Sequence, residues 1–137
     1  MVHFHINRHR GAHNYWLKIP ESPSGPNGLI NLVHYDDAAE AVLSAFEEAE
    51  AVSQEIFLIA DGQALTRAEI CKATVELCPV FRGGSAPNFA GDSSLMDGKR
   101  YNVAKAQSRL HWSPKFAHFS SFMGGDYAQE MKVPLLQ

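Results

Sequence analysis

Leu29-Ile30-Asn31-Leu32-Val33-His34-Tyr35-Asp36-Asp37-Ala38-Ala39-Glu40-Ala41-Val42 changes its apolar period partway along, and that change decides the fold class. Up to Val33 the residues are short and apolar, as in a strand buried on both faces, with Asn31 the exception. From Asp36 onward the positions Ala38, Ala41, Val42, Ala45, Phe46 and Ala49 recur at three- and four-residue steps, the spacing of an amphipathic helix. Asp36 and Asp37 stand where the first unpaired amides and the positive end of the helix dipole favour carboxylates, so both are read as helix-cap residues. With Glu40 they also offer an acid and a base, but capping already accounts for their position.

Working outward, Glu55 to Ala60 reads as a second strand, closed by the turn pair Asp61-Gly62. Thr66 and Glu69 have the spacing of a capping box and open a helix towards Pro79, with Ile70, Ala73 and Leu77 as its apolar stripe. Gly, Ser, Pro and Asn then dominate up to Gly98, which predicts a long surface loop. Asn102 is placed to cap a short helix carrying Val103, Ala106 and Leu110 inward, ended by Trp112 and Pro114. A last helix is expected from His118, with Phe119, Phe122, Met123, Tyr127 and Met131 on one face. Upstream, scattered histidines followed by Pro20, Pro23 and Pro26 predict an irregular His-rich arm and linker over residues 1–27. The domain is expected at 28–131 and a tail at 132–137. The order β-α-β-α, then a loop and two helices, is an α/β pattern with parallel strands joined by a crossover helix.

The chain has 137 residues, 45% of them apolar, which suffices for one core. A formal charge of -3 gives no electrostatic footprint for nucleic acid. Apolar runs such as Ile56 to Ala60 are far below the ~20 residues of a membrane span, so a soluble, cytoplasmic chain is expected. Residues 1–18 lack Asp and Glu, as targeting peptides do, but also lack their serines. Cys71 and Cys78 would share a helix face too far apart for an easy disulfide and are read as buried thiols.

Three patterns suggest chemistry. His3, His5, His9 and His13 have metal-ligand spacings but no acidic or cysteine companions nearby, and no metal site is assigned. Tyr101 and Lys105 have a Tyr-x-x-x-Lys spacing that sets both on one helix face, where an ammonium lowers a phenol's pKa. That chemistry needs a bound nicotinamide. The sequence has neither a Gly-x-Gly-x-x-Gly after a strand nor a phosphate-gripping Gly-x-x-x-x-Gly-Lys, while Gly83-Gly84 and Gly124-Gly125 lack the required strand-to-helix setting. No catalytic or cofactor-binding residue is therefore assigned. Lys99 and Arg100 are read either as contacts for an anionic ligand or as an ordinary solvated pair.

Three ordered stretches resemble the C-terminal, substrate-side part of extended short-chain dehydrogenases, the NAD-dependent epimerase/dehydratase family. They are Leu32 to Ala41, similar to that family's strand, His-x-x-Asp and Ala-rich helix; Ile56 to Gly62 with Leu65 to Ile70, similar to its later strand, glycine turn and capped helix; and Lys105 to Pro114, similar to its Lys-x-x-x-x-Leu-Gly-Trp-x-Pro. His111 replaces the usual Gly of the last motif. The resemblance places Lys105 at a late, non-catalytic lysine position, which makes Tyr101 and Lys105 scaffold. It implies an NAD(P)-dependent parent family with nucleotide-sugar-like substrates, and a chain lacking the nucleotide-binding half and inactive by itself. A gene-model truncation, a split gene and a degraded copy are all compatible with that. Partners are expected among homologous chains or further copies, through an exposed sheet edge.

Overall fold

The computed structural model describes residues 2–5 and 11–125. In chain order the elements are β1 (Val2–His5), α1 (Ala12–Trp16), β2 (Glu21–Ser22), β3 (Leu29–His34) and α2 (Tyr35–Glu47). They continue with β4 (Leu65–Thr66), α3 (Arg67–Leu77), β5 (Asn88–Phe89), α4 (Ala104–Arg109) and α5 (Phe119–Gly124). One sheet has the order β1-β3-β4, and a second pairs β2 with β5 in parallel.

β3 lies at the centre. Its residues from Ile30 to His34 are all buried, which is why the sequence there is apolar without alternation. β1 runs parallel to it, with Val2 opposite Asn31 and His5 opposite His34, and β4 runs antiparallel, with Leu29 opposite Thr66. The strand expected at Glu55 to Ala60 does not join this sheet: the segment makes no ladder among the described residues. It touches β3 just beyond its end, where the Asp61 amide donates to the Leu32 carbonyl at 2.7 Å. Its burial still alternates, with Phe57 and Ile59 turned inward and Ile56 and Leu58 outward. A period-2 pattern reports which faces are buried and says nothing about whether a neighbouring strand is present.

Two cores flank the sheet. The larger gathers Ile30 and Leu32 of β3, Ile70 and Cys71 of α3, Cys78, Trp16 of α1, and Phe119, Phe122 and Met123 of α5. The smaller joins Ala41 of α2 and Val52 to Ala106 and Leu110 of α4 and to Trp112. α3 therefore buries Ile70, Cys71 and Thr74, whereas Leu77, expected in its stripe, is 37% exposed. Both thiols are buried and unbridged.

The irregular arm of the sequence reading needs correction, because the described residues upstream of Gly28 are built into the fold. His13 and Trp16 are buried, and the His13 ring packs edge-on against Phe81 with centroids 5.8 Å apart. The expected surface loop is likewise tied down. Asn88 donates to the Pro20 carbonyl, Ala90 to that of Ser22, the Asn27 side chain to that of Ser93, and Leu29 to that of Asp97. The two irregular stretches thus zip together as a ribbon. Gly25 and Gly91 permit this contact, since a Cβ on Gly91 would overlap the backbone of Ser24 and Gly25. Arg67 fastens the far end with a bidentate pair to Asp97 at 3.1 and 3.2 Å and a bond to the Gly25 carbonyl. The expected tail, 132–137, and Tyr127 and Met131 lie outside the described residues.

α4 ends as its sequence requires, with one strained residue. His111, just past the C-cap Leu110, has φ of 50°, the left-handed region that suits glycine. This is the position where the resembling motif carries Gly. His111→Gly is therefore expected to stabilise the chain by about 1 kcal/mol, read as a melting temperature raised by a few degrees. An unchanged or lowered melting temperature would contradict this account of the helix end.

Candidate functional site

The junction of β3 and α2 concentrates buried polar groups. His34 is the N-cap of α2, its Nδ1 accepting the Asp36 amide at 3.2 Å. The cap is therefore His34 in place of Asp36 or Asp37, while both carboxylates do stand in the first turn, where the helix dipole favours them. Asp36 remains solvent-exposed, with a carboxylate oxygen 3.8 Å from His34 Nδ1. Asp37 is 2% exposed and turns inward, accepting the amides of Lys115 at 2.8 Å and Phe116 at 3.0 Å. It ties the start of α2 to a loop nearly 80 residues further along the chain. That loop brings the Phe116 ring to 4.1 Å from the His34 ring, with Phe122 at 4.7 Å from His34 and 5.4 Å from Phe116, so the three rings form one cluster.

Asp61 completes the group. It accepts the Gln63 amide at 2.9 Å, as its reading as a turn residue implies, but it is also 8% exposed. Burial, reinforced by the neighbouring charge of Asp37, pushes its carboxyl up to about 7 from the ordinary 3.8. A buried histidine beside a perturbed acid is the usual mark of a reactive site. Here the space is too small for one: the pocket lined by His34, Asp61, Phe116, Phe119 and Phe122 holds about 10 Å³, the lower limit for a single water. The cluster acts as a structural knot. Sequence reasoning placed His34 in a His-x-x-Asp motif and Asp61 in a turn, but missed their association with each other and with Phe116, which depends on contacts distant in sequence.

The other residues singled out in the sequence lie elsewhere. The Thr66 side chain accepts the Glu69 amide at 3.1 Å while a Glu69 carboxylate oxygen accepts the Thr66 amide at 2.8 Å, a complete capping box. Asn102 Oδ1 accepts the Ala104 amide at 2.9 Å, but the N-cap of α4 is Val103 and not Asn102 as expected, so Asn102 supports the helix start from one residue ahead of the cap. Lys105 binds Glu55 at 3.1 Å, the Ile56 carbonyl at 3.1 Å and the face of Phe57 at 4.8 Å. Arg109 holds the same carboxylate at 2.6 Å, and these two cations keep Glu55 below the usual carboxylate range, with Arg109 first. Lys105 thus fastens α4 to the 55–60 segment. Tyr101 donates its amide to Asn31 Oδ1 at 2.9 Å, while Asn31 Nδ2 donates to the Lys99 carbonyl at 2.6 Å. The polar exception in β3 therefore clamps the backbone that displays Lys99 and Arg100, and both of those residues are exposed. His13 is buried among aromatic rings. His9 and the side chains of His3 and His5 lie outside the described parts, and no group of metal-ligating side chains forms among the described residues.

A third feature is an apolar face. α2 and the 55–60 segment leave between them a cavity of about 410 Å³ lined by Ala41, Val42, Ala45, Phe46, Phe57 and Ile59, among others. Around it, Val42 is 56% exposed, Leu43 54%, Phe46 75%, Ile56 84% and Leu58 48%. Half of the stripe that identified α2 in the sequence thus faces water. No described helix is long and apolar enough to cross a membrane.

The described residues do not fit a dinucleotide. β3 enters α2 directly through His34, without a glycine turn, and the first-turn amides of Asp36 and Glu69 are taken by His34 and Thr66. Gly83 and Gly84 follow a helix and do not precede one.

The Asp61 knot has a measurable consequence. Its carboxyl binds protons more tightly in the folded chain than in the unfolded one, so its contribution to stability is greatest below about pH 4 and is lost as the pH rises through about 7. At ~1.4 kcal/mol per tenfold in proton affinity, the loss amounts to about 4 kcal/mol. Asp61→Asn, which keeps an acceptor for Gln63, should raise the melting temperature more at pH 8 than at pH 5. An equal gain at both pH values, or a larger one at pH 5, would contradict the assignment.

No family model matches this sequence, and no curated protein matches it. Solved structures do. UDP-N-acetylglucosamine 4-epimerase from Bacillus cereus superposes with a TM-score of 0.66 at 18% identity, over 89% of this chain and 43% of that one. UDP-glucuronic acid 4-epimerase from Bacillus cereus, in complex with NAD, gives 0.64 at 18% identity, over 85% and 37%. A UDP-galactose 4-epimerase gives 0.62 at 17% identity, over 95% and 45%. The chain spans under half the length of these enzymes. What it shares with them is the fold, an α/β arrangement that matches part of these epimerases.

Proposed function

We propose that this chain is the substrate-side portion of an NAD(P)-dependent epimerase, dehydratase or reductase and does not catalyse the reaction alone. One observation carries the reading: 85–95% of this chain superposes on UDP-sugar epimerases, yet it accounts for only 37–45% of them. The described part offers no seat for the dinucleotide, so the cofactor belongs to the portion of the fold not represented here. Lys99 and Arg100, held on the clamped backbone beside Asn31, are the contacts for the anionic part of a nucleotide-sugar-like ligand. Calorimetric titration of the chain with NAD, NADP and UDP-sugars should show no heat for either dinucleotide. Any UDP-sugar binding should weaken in the Lys99→Ala, Arg100→Ala double variant. An NAD-dependent thermal shift of the chain alone would overturn the reading.

A second reading is a non-catalytic interaction module, and the apolar face on α2 and the 55–60 segment favours it. On that reading the chain works by covering that face with a partner.

A further inference from the structure

Residues 56–59 carry apolar side chains on both faces of an extended segment. Phe57 and Ile59 pack against the smaller core, whereas Ile56 is 84% exposed and Leu58 48%. A continuous apolar run of this kind suits a strand buried on both faces, as in a parallel sheet covered by helices. Here one face is covered, and the segment has no ladder partner among the described residues. Its position is nonetheless fixed: Lys105 Nζ donates to the Ile56 carbonyl at 3.1 Å at one end, and the Asp61 amide donates to the Leu32 carbonyl at 2.7 Å at the other. A strand edge held in place and left unpaired is a template for a further strand. Beside it Phe46 of α2, 75% exposed, stands at the margin of a cavity of about 410 Å³ lined by Ala41, Ala45 and Ile59.

What belongs on this face follows from the shared fold. Between 85 and 95% of this chain superposes on UDP-sugar epimerases, while more than half of each of those chains has no counterpart here. The open edge calls for a strand, and the open side over Ile56 and Leu58 calls for an apolar layer. A sheet with its helices supplies both together. Building on the reading of this chain as the substrate-side portion of such an enzyme, we propose that a separate polypeptide carrying the dinucleotide-binding portion of the fold docks here. Its outermost strand pairs with residues 56–59, and its apolar side chains cover Ile56, Leu58 and Phe46. The dinucleotide seat that the described residues do not offer then arrives with the partner. Glu55, at the cavity wall, is engaged by Lys105 and Arg109 of its own chain, so it brings no unpaired charge to the apolar contact.

Photo-cross-linking tests this. The full chain with p-benzoylphenylalanine at Phe46, and separately at Ile56, is irradiated in the cells that naturally produce it, and the product is sequenced by mass spectrometry. Both positions should capture the same polypeptide, one with a Gly-x-Gly-x-x-Gly turn between a strand and a helix. The same probe at Leu95, 60% exposed on the ribbon, should not capture it. The purified pair should bind NAD or NADP in calorimetry. Phe46→Glu and, separately, Ile56→Lys should weaken the pair about tenfold or more, with unchanged far-ultraviolet circular dichroism because both side chains already lie in water. No cross-link at either position, capture only of a second copy, a captured polypeptide without that turn, or a pair indifferent to both dinucleotides or to both face variants would overturn the proposal. Should a face variant fail to fold, the cross-linking, which adds no charge to the face, still decides. Titrations of the chain alone are expected to be blank with either outcome, so the substrate-side reading fails on a dinucleotide signal without the partner and the docking fails on its absence with one.

Discussion

A strand buried along nearly its whole length has to have its backbone paired on both edges and its side chains covered on both faces. β3 imposes that demand on this chain, and most of the architecture meets it. β1 and β4 supply the edges, α3 and α5 cover one side through Ile30 and Leu32, and Asp61 reaches the Leu32 carbonyl beyond the end of β4. The polar residues are recruited to the same end. Asn31, in mid-strand, uses its amide to hold the chain at Lys99 and Tyr101, and His34, at the strand's end, caps α2.

The second organising element is Asp37. A carboxylate withdrawn from water is costly unless its oxygens are satisfied, and two amides of the Lys115-Phe116 loop do so. That arrangement folds Phe116 over His34 and closes the pocket that holds Asp61. The result is a closely packed junction. What the chain leaves open is on the other side of α2, where apolar side chains meet water.

Much of this was legible in the sequence where the signal was local. The change from continuous to 3.6-residue periodicity placed β3 and α2, the Thr66-Glu69 spacing gave the capping box, and Val103, Ala106 and Leu110 marked the inward face of α4. The resemblance carried by Leu32 to Ala41 and Lys105 to Pro114 led to the same fold that the UDP-sugar epimerases share. Non-local facts were not legible. Nothing near His13 announces that it lies among Phe81 and Phe119, and nothing in the Gly- and Pro-rich stretches announces that each pairs with the other. Glu55 to Ala60 was read as a strand from its own residues and the turn pair that follows, whereas a strand also needs a neighbour. His111 is the instructive local case: its departure from glycine was visible, and its left-handed backbone gives that departure a physical meaning.

The central claim is that the fold is complete around β3 and open at the 55–60 segment. Amide hydrogen exchange, followed by mass spectrometry on dilute chain, addresses both halves at once. The amides of Leu29 to His34 should be the slowest to exchange, and those of Ile56 to Ile59 should exchange quickly. Protection of Ile56 to Ile59 equal to that of β3 in dilute chain, or fast exchange throughout β3, would contradict that claim.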